Sequence, residues 1–87
     1  MRGNHSERFA LQGRLEGADP KDSELFRTLL SEAMRVLALD VSDVAAEFGV
    51  SLPMVRRWMG GNAVPMTRMR GTVYSWLLDR TLGLKDG

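Results

Sequence analysis

The chain contains no cysteine and a single histidine, His5. Without thiols there is no disulfide staple, no thiolate zinc site and no cysteine nucleophile, as expected of a protein kept in a reducing compartment. A lone histidine in a polar N-terminal stretch excludes a histidine-rich metal centre. No apolar run approaches the roughly 18 residues of a membrane span, and MRGNHSERFALQG lacks the apolar block of a secretory signal. The expectation is a soluble, cytoplasmic protein with no membrane partner and no cofactor. Catalysis is not expected either. The sequence shows no glycine-rich phosphate loop, no paired carboxylates in an apolar setting and no nucleophile beside a histidine base. β-branched residues are few and never alternate with polar ones over strand length, which argues against a sheet.

What is present is ordinary for a globular protein: 87 residues, 44% hydrophobic and 26% charged. A chain of this size buries roughly 60% of its unfolded surface, enough for one small domain. Its net charge of +1 hides an uneven distribution. Residues 1–20 are balanced, whereas Lys21, Arg27 and Arg35 are outnumbered by six acidic residues between 21 and 49. From residue 50 onward Arg56, Arg57, Arg68, Arg70, Arg80 and Lys85 face only Asp79 and Asp86. A basic C-terminal part is a cue for a polyanionic partner, with plainly solvated arginines as the other reading.

The apolar pattern predicts four helices. Residues 1–18 carry Phe9, Leu11 and Leu15 among glycines and charges, and read as an N-terminal arm, flexible or a short helix. Asp19 followed by Pro20 predicts the cap and first turn of a helix over about 20–39. Leu25, Phe26, Leu29, Leu30, Ala33, Met34 and Leu37 form its apolar stripe, and Arg27 falls on the opposite, polar face. A second helix is expected over Ser42–Phe48, with Asp40 or Ser42 as its cap and Gly49 as a left-handed end. Ser51 is expected to cap a third helix that runs through Val55 and Trp58 and stops at Gly60 and Gly61. After a loop at Asn62–Val64, Pro65 opens a fourth helix with Met69, Val73, Trp76 and Leu77 inward and Gly83 at its end. The main domain is thus expected over 19–84.

Two short helices joined at a glycine fit the spacing of a helix-turn-helix over about 42–59. Ala45 supplies the small residue where the helices cross, and Gly49 the residue that accepts positive φ. Val44, Phe48, Val50, Val55 and Trp58 fill the inward positions; Ser51, Leu52, Arg56 and Arg57 fall on the outward ones. On these residues the stretch VSDVAAEFGVSLPMVRRWMGGNAVP resembles the helix-turn-helix of the lambda-repressor-like (phage repressor and Cro-type) DNA-binding domains. The likeness includes the late tryptophan, the glycine turn and the proline after it. It covers about residues 22–82. Two departures stand out. Leu52 and Pro53 occupy places where that family often carries glutamine, serine or arginine, and little chain follows Leu84 to build the family's fifth helix. The resemblance implies an all-α bundle of four to five helices that binds operator DNA, commonly as a homodimer on a palindromic site, and acts on transcription at the nucleoid.

The residue candidates follow. Arg56 and Arg57 diverge by about 100° around the helix, so one can meet base edges while the other reaches phosphate. Ser51 is either a phosphate donor, a helix cap or both. Leu52 either touches a thymine methyl or packs against the second helix. Asn62, Arg68 and Arg70 lie near the start of the fourth helix, with phosphate contact and simple solvation as the two readings. Trp58 and Trp76 sit at core spacing, not as stacking platforms, and Met34, Met54, Met59, Met66 and Met69 read as adaptable filler. The competing functional class is a protein-docking module, such as an antitoxin, whose residues 1–18 would order and bury Phe9, Leu11 and Leu15 on a partner.

Overall fold

The computed structural model describes residues 5–83. Five α-helices run in the order α1 (His5–Glu16), α2 (Ser23–Val36), α3 (Val41–Phe48), α4 (Leu52–Gly60) and α5 (Thr67–Leu82), and no strand occurs among the described residues. They close into a body of 31 × 25 × 22 Å. No helix is long and apolar enough to cross a membrane among the described residues. The expectation about the chain after Leu84 lies outside them.

The core is organised around α2. Phe26 is fully buried between Trp58 of α4, whose ring stands edge-on at 6.1 Å, and Tyr74 of α5 at 5.7 Å. Leu29, Leu30, Ala33 and Met34 continue the inward stripe. A second aromatic pair, Phe48 and Trp76 at 5.3 Å, joins α3 to α5, and the Arg80 guanidinium lies 5.5 Å from the Trp76 ring centre. Both tryptophans are buried.

α1 contributes two residues to this core. α1 packs on α5 and α2, and it buries Leu11 and Leu15. Polar contacts hold its rim: Arg14 pairs with Glu32, Glu7 with Arg35 at 3.2 Å, and Arg8 donates to the carbonyl of Arg80 at 3.0 Å. That last bond covers an end carbonyl of α5, where a cation suits the helix dipole. Leu11 and Leu15 are therefore not free to dock on a partner, whereas Phe9 is 72% exposed.

Three boundaries differ from the expected ones. α2 starts at Ser23, capped by Asp22, whose carboxylate accepts from Leu25 N–H at 3.0 Å. Asp19 instead accepts from Lys21 N–H and closes a turn ahead of the helix, so Pro20 stands outside it. At its other end α2 stops at Val36 because Ala38 adopts φ 56°, letting Leu39 N–H return to the Met34 carbonyl at 2.9 Å. α5 begins at Thr67, not Pro65, because the Pro65 carbonyl accepts from an arginine side chain, Arg70, at 2.7 Å.

Candidate nucleic-acid interface

α3 and α4 are both short, and each is fixed at its start by a side chain. Asp40 and Asp43 form a reciprocal box at the start of α3: Asp43 N–H donates to Asp40 at 3.1 Å, and Asp40 N–H to Asp43 at 2.9 Å. Ser42 does not cap the helix itself; its hydroxyl donates to the Asp40 carboxylate at 2.6 Å. That bond, followed by the one from Asp43 N–H, holds the Asp40 carboxyl below the ordinary aspartate value. Gly49 ends α3 at φ 66°, and Val50 N–H returns to the Ala45 carbonyl at 3.0 Å. Only two residues then separate Gly49 from Leu52, the first residue of α4. Ser51 Oγ accepts from Met54 N–H at 3.2 Å, so the cap reading holds for this residue, and its own hydroxyl proton is left to donate outward.

α4 is anchored by its inner face. Val55 and Trp58 are buried, whereas Ser51, Leu52, Pro53, Arg56 and Arg57 are exposed. Neither the Arg56 nor the Arg57 side chain makes a hydrogen bond or ion pair among the described residues. Leu52 is 41% exposed and shares a shallow depression with Asp40, Val41, Ser42 and Arg56, so it stands beside the start of α3 with one side free. Gly61 ends α4 at φ 79°, and the Arg57 carbonyl accepts from Asn62 N–H at 3.1 Å. Asn62 and Arg68 are both exposed, Arg68 in the first turn of α5.

Arg70 departs from expectation. Only 8% of it is exposed, and its guanidinium donates to the carbonyls of Pro20 and Pro65 and, at 2.9 Å, to Thr67 Oγ1. All three acceptors belong to the protein itself, tying the α1–α2 linker to the start of α5. A guanidinium so occupied has no fork left for phosphate, so Arg70 is removed from the candidate contacts.

Two features of this surface have no signal in the linear pattern. Arg27, on the polar side of α2, lies against Gly61: a Cβ there would stand 2.9 Å from Arg27 Cδ. Beside it an apolar groove of about 440 Å³ runs between α4 and the α4–α5 loop, lined by Val50, Met54, Trp58, Val64, Met66 and Met69 among others. Met66 is 77% exposed there. Compared with known proteins, the chain matches no family model, no curated protein and no solved structure.

Proposed function

We propose that the chain is a sequence-specific DNA-binding transcriptional regulator of the repressor type, working by occupancy of operator DNA and not by chemistry. α3 and α4 act as a helix-turn-helix, with α4 entering the major groove. The observation that carries this reading is the division of α4 into two faces. Val55 and Trp58 lock it into the core, while Ser51, Leu52, Arg56 and Arg57 are exposed, and the two arginine side chains have no hydrogen bond or ion pair among the described residues. Arginine's planar fork matches guanine O6 and N7 as well as phosphate, and an unpartnered fork is ready for either. Asn62, just after α4, and Arg68, in the first turn of α5, are exposed and would add phosphate donors. We further propose a homodimer on a palindromic site, its two α4 helices about 34 Å apart on successive major-groove faces.

The test is selection of bound sites from random duplex DNA. An enriched palindrome with half-sites one helical turn apart is the expected result, and absence of any enriched motif defeats the reading. The apolar groove favours a second reading, a module of the same shape that docks a protein. In that case DNA selection yields nothing, and Met66→Glu abolishes the function while Arg56→Ala spares it.

A further inference from the structure

We infer that Arg27, on α2, binds a DNA phosphate beside the C-terminal end of α4. The inference rests on the DNA-binding reading above and extends it to a helix that reading does not use. Gly61 sets the geometry. A side chain there would place its Cβ 2.9 Å from Arg27 Cδ and 3.1 Å from Nε, so the arginine stem occupies the space the glycine leaves open. The guanidinium is thereby held next to Gly61, the residue that ends α4. A stem held against backbone loses little further freedom on binding, which favours capture of a ligand.

Availability separates Arg27 from other arginines of the body. Arg8, Arg14, Arg35 and Arg70 each donate a hydrogen bond to an acceptor within the protein, whereas Arg27 makes none among the described residues. Its one ion pair is with Glu24 at 4.0 Å, the outer limit of such a contact, and the Glu24 side chain is 88% exposed. An exposed pair so long holds the guanidinium weakly, and a phosphate with two accessible oxygens competes well against it. Glu24 then acts as a mild competitor for the same cation.

The experiment titrates the 87-residue chain against a fluorescein-labelled duplex of mixed sequence, roughly 21 base pairs long, between 50 and 200 mM salt. Arg27→Met keeps the stem over Gly61 and removes the charge. It is expected to retain the parent's circular dichroism, to bind more weakly, and to lower the salt slope by about one. Over that salt range the parent then loses about fourfold more affinity than the variant. Glu24→Gln should strengthen binding in the parent and do so less in the Arg27→Met background. Arg27→Lys should restore the slope, since lysine holds phosphate as a point charge. An Arg27→Met slope equal to the parent's, with Arg57→Ala shallower, overturns the inference and leaves α4's role standing. Arg27→Lys binding as weakly as Arg27→Met also overturns it, because packing and not charge would then matter. A parent with no affinity at 50 mM salt overturns the DNA reading itself.

Discussion

Arginines occur in two very different settings in this molecule. On α4, the Arg56 and Arg57 side chains stand in solvent with no partner among the described residues; 13 residues beyond Arg57, Arg70 is buried and donates to two carbonyls and a hydroxyl. The charge is the same and the consequence opposite. In the first setting removal should leave the fold alone and change what the surface can hold. In the second it should leave the surface alone and loosen the junction between the α1–α2 linker and α5. An arginine's role is decided by which acceptors the fold brings within reach, and charge counting along a chain cannot see that.

The contrast is broken most directly at Arg70. Arg70→Met removes a buried guanidinium's bonds to the half-buried Pro20 and Pro65 carbonyls, and we expect a loss of about 1–3 kcal/mol in urea unfolding. Arg56→Ala and Arg57→Ala should each stay within about 0.5 kcal/mol of the parent in the same assay. Equal losses at all three would erase the distinction.

Gly49→Val tests whether the outward face depends on the turn that presents it. A β-branched residue at φ 66° is strained, and a destabilisation of about 1–3 kcal/mol by thermal melting is expected. A variant that melts like the parent would mean that the turn is not holding α4. The DNA arm of the contrast is sharpened by comparing Arg56→Ala on a selected duplex and on a scrambled one. A base-reading arginine should cost about 1–3 kcal/mol on the selected site and relax the preference at one base pair. Arg57→Ala should weaken both duplexes alike and reduce the salt slope by about one. Arg70→Met, assayed where it is folded, should change neither.

The smallest effect lies beside Arg70. The Tyr74 hydroxyl is buried with no hydrogen-bond partner among the described residues, and burial first, then the negative charges of Asp22 and Asp19, push its pKa above the ordinary 10.0 against the opposing pull of Arg70. The folded protein thus favours the neutral phenol. Its contribution is complete below pH 10 and is lost as pH rises through the raised folded value, because the unfolded chain ionises first. Tyr74→Phe should be neutral or stabilise by up to about 1 kcal/mol near pH 7, and should flatten the alkaline limb of the stability profile. An unchanged alkaline limb would assign that loss to other groups.

How much of this was legible depends on the signal each feature leaves in the chain. The helix ends at Gly49, Gly61 and Gly83 were readable because glycine is the residue that takes positive φ without strain, and all three do. The end of α2 was not, since Ala38 adopts the same conformation and carries no such mark; the apolar stripe simply reads on to residue 39. α1 left only Leu11 and Leu15, one helical turn apart and interrupted by Gly13, because its stability comes from α5 and α2 and not from its own propensity. Of the candidate site, Ser51, Leu52, Arg56, Arg57, Asn62 and Arg68 are exposed at or beside α4, as helical spacing around one turn predicts. Arg70 was misplaced because its acceptors, Pro20 and Pro65, are set by how distant segments meet. Arg27 was overlooked for the same reason, since nothing links residue 27 to residue 61 before the chain has folded.

The docking of α1 on α5 has a consequence for how the molecule is made. α1 leaves the ribosome before α5, and finds part of its seat on that later helix. At synthesis rates of about 5–20 residues per second, several seconds pass between the two. During that interval Leu11 and Leu15 lack one of the surfaces that cover them, and α2 offers the other only once it has formed. The order of synthesis and the order of assembly therefore run in opposite senses for this helix. A nascent chain halted before α5 emerges should leave α1 open to protease, while release of the full chain should close it.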